Sequence, residues 1–333
     1  MSGKSSRLAA PLLFAVVLLA LPVWTPQAWG QTKSPRVAIL SFGIDQADAA
    51  LEHWSEPLRR ALAERGWIEG KTVSFLYRAA QDDPSRLAEV ASELVQLKVD
   101  VIFALNPPGA RGPYAASVAL PIVSVDFTSD PVAEGYISSY DHPGGNITGV
   151  FADAPALARR WLEALQSTTP GLRRIAVVWD PGPGPAYLKA VQGAARSLRL
   201  QSEVIEVRKP EDIEQAYRAF PSQAQAIVIL PSVVTLSERA RLAKWALKQR
   251  LPAISMFPAF AESGGAMSLG PDLASTAVRC AGALARILGG AKPGDVPVQR
   301  PLGFELSINQ QTLKALELTV PDSLLSQASR VVR

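Results

Sequence analysis

Cysteine and histidine are nearly absent from this 333-residue chain, which has one cysteine, Cys280, and two histidines, His53 and His142. A lone cysteine excludes an intrachain disulfide, so the fold must hold by packing. Neither histidine falls in a metal-ligand spacing, and no His-Glu-x-x-His or paired-cysteine motif occurs, which leaves a metal centre without a ligand set. The chain also lacks a Gly-x-Ser-x-Gly elbow and a phosphate-cradling Gly-x-x-x-x-Gly-Lys-Ser/Thr loop. The glycine-rich stretch 181–185 follows a strand pattern, but its alternating prolines remove the amide donors that a phosphate would need. Charge of one sign is scarce as well: 34 basic against 30 acidic side chains give a net charge of +4. Lys4 and Arg7 supply two of those charges. No dense Lys/Arg block or aromatic ladder is present, so nucleic acid is excluded as a partner.

Only one long apolar run stands out, and it lies near the N-terminus. Lys4 and Arg7 precede residues 12–21, Leu-Leu-Phe-Ala-Val-Val-Leu-Leu-Ala-Leu, and Ala28 and Gly30 place small residues three before and one before a break ahead of Gln31. A positive, apolar and then small-residue order is that of an export signal, expected to span residues 1–30 and to be removed. The run is short for a membrane-spanning helix, and no cysteine stands at the break to carry a lipid. The mature chain from Gln31 is therefore expected to be a soluble, unlipidated monomer outside the cytoplasmic membrane.

From Arg36 onward, short strand-like runs alternate with helical ones. Residues 36–42, 73–77, 100–104, 121–125 and 146–151 read as strands, with apolar side chains at helical spacing between them (Leu51, Trp54, Leu58, Leu62; then Leu87, Ala91, Leu94). The rhythm restarts with a helix carrying Leu157, Trp161 and Leu165, followed by strands at 174–179, 203–207, 226–230 and 252–257. A helix carrying Leu236, Ala240, Ala243 and Leu247 precedes the last of these. Strands separated by helices imply parallel sheets covered on both faces. The fold class is α/β: two open, mainly parallel sheet lobes. A further stripe, Leu273, Ala277, Cys280, Leu284 and Ile287, places Cys280 on an apolar helix face as a core residue rather than a nucleophile. The strand 304–309 and the short helix after it are too small for a third domain. They must dock on the first two, so the chain crosses between lobes more than once.

Open parallel sheets bind ligands beyond the carboxyl ends of their strands. In the first lobe the rule selects Ser41, Phe42, Asn106, Pro108, Gly109, Phe127, Thr128 and Asp130. In the second it selects Trp179, Asp180, Ser232, Phe257 and Phe260. Aromatic surface beside small polar groups suits reversible capture of a small organic solute, although many of these residues are also ordinary turn and cap formers. His53, on a helix, and His142, in an Asp-His-Pro-Gly-Gly turn, read as structural. An enzyme using the same cleft would draw its acid or base from Asp126, Asp130 or Asp180. No activated nucleophile, cofactor fingerprint or metal set accompanies them, so no catalytic residue, cofactor or metal is expected.

With this order of elements established, several segments carry a resemblance: 65–71 (Arg-Gly-Trp-Ile-Glu-Gly-Lys), 97–102 (Leu-Lys-Val-Asp-Val-Ile), 129–132 (Ser-Asp-Pro-Val), 142–149 (His-Pro-Gly-Gly-Asn-Ile-Thr-Gly), 251–254, 262–268, 270–273 and 304–309. In that order the chain resembles the solute-binding components of ABC transporters in the family related to tryptophan-binding proteins. The resemblance implies a type I periplasmic-binding-protein fold with three crossing segments. It places 31–150 plus 270–298 in lobe 1 and 151–269 plus 299–333 in lobe 2. It implies periplasmic work, closure around ligand and an inner-membrane ABC permease as partner; a periplasmic sensor would bind in the same way. Ligand identity stays open. Pro107 replaces a commonly found threonine, Ser232 an acidic residue, Asp180 an asparagine and Leu269 a tyrosine. An amino acid and another small aromatic or apolar solute both remain in play.

Overall fold

The computed structural model describes residues 34–41, 49–79, 84–105, 120–218 and 220–333, with backbone alone for 49–54 and 84–85. Five strands form the first sheet: β1 (Arg36–Ser41), β2 (Ser74–Ala79), β3 (Val101–Leu105), β4 (Ile122–Asp126) and β5 (Ile147–Phe151). All pairings are parallel and the order is β2-β1-β3-β4-β5. The second sheet holds β6 (Arg174–Trp179), β7 (Gln201–Glu206), β8 (Ala226–Ile229), β9 (Ala253–Ser255), β10 (Met267–Pro271), β11 (Phe304–Asn309) and β12 (Arg330–Val332), in the order β12-β11-β10-β9-β8-β6-β7. Only β10 and β11 are antiparallel neighbours. Followed inward from its β7 edge, the second sheet repeats the winding of the first. Each therefore has one point where the strand order reverses, between β1 and β3 and between β6 and β8, and open sheets of this kind bind ligands beyond the strand ends at such a point.

The helices are α1 (Ala49–Ala63), α2 (Pro84–Gln96), α3 (Ala154–Thr168), α4 (Ala186–Ser197), α5 (Asp212–Arg218), α6 (Val233–Ser237), α7 (Arg239–Lys248), α8 (Pro258–Glu262), α9 (Leu273–Leu288), α10 (Gln310–Ala315) and α11 (Asp322–Leu325). Alternation along the strands distributes the core between them. Val37 and Ile39 pack with Leu58 and Leu62 of α1 and Cys280 and Leu284 of α9, whereas Ala38 and Leu40 face Leu87, Val90 and Leu94 of α2. In the second lobe Ile175 and Val177 meet Leu157 and Trp161 of α3 and Val191 of α4. On the opposite face Ile227 and Ile229 meet Leu242 and Trp245 of α7. The strands are buried on both faces, as parallel crossover topology requires.

The chain passes between the sheets three times: from β5 to α3, from β10 to α9, and from residue 299 to β11. The first and third passages are tied to each other. Gln299 donates its amide to the Gly149 carbonyl at 2.9 Å and accepts from the Phe151 amide at 3.0 Å. The second is tied to the third by the Asp272 amide, which donates to the Gly303 carbonyl at 3.1 Å. Gly149 is required at this junction. Its φ is +137°, and a Cβ there would lie 2.0 Å from the Ser124 carbonyl oxygen.

Three elements depart from the sequence reading. The sequence does not signal the strand β10, because Ser268, Gly270 and Pro271 give it the composition of a turn; with both neighbours present, it fills the gap between β9 and β11. The terminal β12 is equally unsignalled. The single helix read through Leu236 and Leu247 is two, divided at Glu238, where α6 closes and α7 begins. The helix expected near Pro108 lies outside the described residues. Cys280 is buried, as its stripe implies, and burial pushes its thiol well above the ordinary range. A bulky thiol reagent should therefore label Cys280 only in denaturant, and Cys280→Ala should cost about 1 kcal/mol of stability. Fast labelling of the native protein would contradict this packing.

Candidate functional site

The carboxyl end of β4 organises the first lobe's side of the crevice. Asp126 is fully buried, and its Oδ1 accepts the amides of Thr128 at 2.8 Å and Ser129 at 2.9 Å, while its Oδ2 accepts the Ser129 hydroxyl. A carboxylate at a strand end can turn the chain in this way because it gathers successive amides that have left the ladder. The Asp126 carbonyl in turn accepts the Ala152 amide at 3.0 Å, which joins this turn to the first crossing. Asp130 is exposed and repeats the device: its Oδ1 accepts the amides of Val132 at 3.0 Å and Ala133 at 3.2 Å.

On the second lobe the carboxyl end of β6 carries Trp179, which is partly buried against the core. Its Nε1 donates to the Gly184 carbonyl at 3.4 Å, and Asp180 Oδ1 accepts the Gly182 amide at 2.8 Å. The Pro-Gly loop thus curls under the indole. After β8, Ser232 caps α6: its hydroxyl accepts the Thr235 amide at 3.0 Å, and the Thr235 hydroxyl oxygen accepts the Ser232 amide at 3.0 Å. After β9, Phe257 begins α8 and lies half-buried against the core.

The two sets of loops meet. A Cβ placed on Gly184, in the loop after β6, would lie 3.3 Å from Oε1 of Glu134, in the loop after β4. Close by, Tyr187 in the first turn of α4 is 4% exposed and stands within electrostatic reach of Asp126, Asp153, Arg300 and Tyr140. Burial, reinforced by Asp126 and Asp153, pushes the Tyr187 hydroxyl well above its usual range. Arg300, on the third crossing, donates from Nη1 to the Ala152 carbonyl at 2.5 Å and lies 4.0 Å from the Tyr140 ring centroid. Burial raises Tyr140 as well, with Arg300 opposing. Asp153 caps α3 by accepting the Ala156 amide at 3.0 Å.

Of the residues selected from sequence, Ser41 ends β1 at the strand-order reversal, beside Leu105, and is buried. Phe127 packs in the core cluster, while Thr128 and Asp130 lie on the β4 loop. Trp179, Asp180, Ser232 and Phe257 occupy the strand ends of the second lobe. Phe42, Asn106, Pro108 and Gly109 lie outside the described residues. Phe260 is placed elsewhere: it is 2% exposed on the α7 side of the sheet, where its ring fills the space a side chain at Gly265 would need. Its position in α8, one turn beyond the strand end, turns it inward. His142 is exposed, its amide donating to the Ser139 hydroxyl at 3.1 Å in a turn, and the His53 side chain lies outside the described residues. Among the described residues no group of three His, Cys, Asp or Glu is placed to hold a metal.

Sequence reasoning missed Tyr140, Tyr187 and Arg300. The strand-end rule stopped at the loop after β6, whereas Tyr187 lies one residue into the following helix; the other two approach from distant parts of the chain. Because Asp126 holds the whole β4 turn, Asp126→Asn, which replaces an acceptor oxygen by a donor, should destabilise the protein by about 2 kcal/mol in urea unfolding. An unchanged midpoint would show that the turn does not depend on the carboxylate.

Residues 38–332 match the profile of the family described as ABC transporter substrate binding protein. A curated relative, the "Tyrosine-binding protein" of Clostridioides difficile, is 25% identical over 282 residues, covering 84% of this chain and 81% of that one. A crystal structure of a conserved domain protein from Vibrio cholerae superposes with a TM-score of 0.80 at 26% identity, over 90% of this chain and 100% of that one. An ABC domain from Streptococcus pneumoniae in complex with L-Trp gives a TM-score of 0.80 at 23% identity, with the same coverage. With its two like-wound parallel sheets and their facing loops, the chain belongs to the ABC transporter substrate-binding protein family.

Proposed function

We propose that this protein captures a small organic solute in the crevice between its lobes, closes about the three crossings and presents the closed form to an inner-membrane ABC permease. An aromatic amino acid is the first candidate. The observation that carries this reading is the meeting of the β4 and β6 loops, Glu134 beside Gly184, at the carboxyl ends of two sheets of the same winding. Such a site surrounds a solute from two sides, so that desolvation of an aromatic side chain supplies affinity while hydroxyl and amide groups fix its orientation. The names of two relatives, one a tyrosine-binding protein and the other solved with L-Trp, support the aromatic amino acid over other solutes. Export by the leader at 1–30 would put the mature chain in the periplasm as a soluble monomer. The cleft residues proposed to meet ligand are Ser41, Thr128, Trp179, Asp180, Ser232 and Phe257, together with Phe42, Asn106, Pro108 and Gly109. Lobe 1 would comprise 31–150 plus 270–298, and lobe 2 the remainder of the mature chain.

No turnover of the ligand is part of this function. What supports this is that Asp126, Asp130 and Asp180 each accept main-chain amides in their own loops. Isothermal calorimetry of the mature protein with L-tryptophan and L-tyrosine tests the reading, with the ligand then recovered unchanged by mass analysis. Trp179→Ala should weaken the binding more than tenfold without unfolding the protein, because a large ring surface leaves a desolvated contact. Equal affinity in the folded variant would remove Trp179 from the site, and absence of heat with both amino acids would reject the aromatic amino acid.

A further inference from the structure

Near the junction of the lobes, Tyr187 carries a hydroxyl whose hydrogen bonding is left incomplete. Its ring is walled by Trp161, with centroids 5.5 Å apart, and its hydroxyl is buried without a hydrogen-bond partner. Buried hydroxyls pair almost without exception, and an orphan disfavours the conformation that buries it by roughly tenfold or more. Tyr187 is carried by α4 of the second lobe, whereas Asp126 and Tyr140, within its electrostatic reach, belong to the first, and Asp153 and Arg300 belong to the crossings.

The surroundings also select the partner. Two carboxylates, Asp126 and Asp153, outnumber the single guanidinium of Arg300, whose Nη1 is committed to the Ala152 carbonyl and whose plane lies over Tyr140. In a field of that sign a phenol oxygen accepts a hydrogen bond from a cation more favourably than it donates one to an anion. We infer that the Tyr187 hydroxyl is a ligand-recognition group, accepting a hydrogen bond from the ammonium of an amine-bearing solute and engaged only when the lobes are together. This inference rests on the solute-binding reading and adds to it a residue that discriminates amines. Ligand would then stabilise the closed form partly by pairing a group that the empty closed form leaves orphaned, which gives the solute the differential affinity that closure needs.

Tyr187→Phe removes the hydroxyl and keeps the ring. In the ligand-free protein the variant should melt at a temperature equal to or about 2 °C above that of the wild type, because an unpaired polar group has been deleted. With L-tryptophan its affinity should fall by tenfold or more, whereas with indole-3-propionate, which lacks the amine, wild type and variant should bind alike. A fall in the ligand-free melting temperature would show the hydroxyl satisfied within the protein and overturn the inference. So would unchanged affinity for L-tryptophan, or an equal loss with both probes. If wild type binds neither L-tryptophan nor L-tyrosine, the aromatic amino-acid reading fails by itself, and the melting comparison still decides whether the hydroxyl is reserved.

Discussion

The backbone pairing of Gln299 with Gly149 and Phe151 is the constraint on which the rest of this structure depends. It lays the third crossing against the first, and the amide of Asp272 then lays the second against the third. In the proposed closure, three segments held side by side would restrict the lobes to a hinge motion. The constraint is built from close approach. Gly149 sits where a side chain would strike the Ser124 carbonyl, and Gly270 sits where one would strike the Met256 carbonyl at 2.3 Å. The Thr148 hydroxyl donates to the Val296 carbonyl at 2.7 Å and fastens the same junction from inside the first lobe.

From that junction the polar groups of the site follow in sequence. The Asp126 carbonyl holds Ala152, whose own carbonyl holds Arg300, whose guanidinium covers Tyr140. A residue whose carboxylate organises one lobe's loop is therefore bonded, through its carbonyl, to the crossing segments between the lobes. This continuity gives a physical route by which occupancy of the crevice and the angle between the lobes can bias one another, through groups with defined partners and not through proximity alone. Affinity in such an arrangement comes from contacts made to both lobes at once, since a ligand held by one lobe favours neither state.

Much of this was legible in the chain before folding. The parallel sheets follow from uninterrupted apolar runs such as 101–105 and 175–179 divided by amphipathic helices, and the ligand site is expected from the rule that open sheets bind beyond their strand ends. The turn chemistry of Asp126, Asp130 and Asp180 is visible as acidic residues just after strands. What could not be read depends on tertiary company. Met267–Pro271 has turn composition and becomes a strand only because β9 and β11 flank it. Phe260 looks like a strand-end aromatic and is turned into the core by one helical step. Tyr187, Tyr140 and Arg300 are distant in sequence and come within electrostatic reach only in the folded chain, so no local pattern could have signalled them.

The central claim is that binding closes the two lobes about these three crossings. Small-angle X-ray scattering of the mature protein, with and without a solute that calorimetry shows to bind, measures it most directly. A smaller radius of gyration at saturation, at unchanged molecular mass, is the result this account predicts. Saturating binding with unaltered dimensions would contradict it.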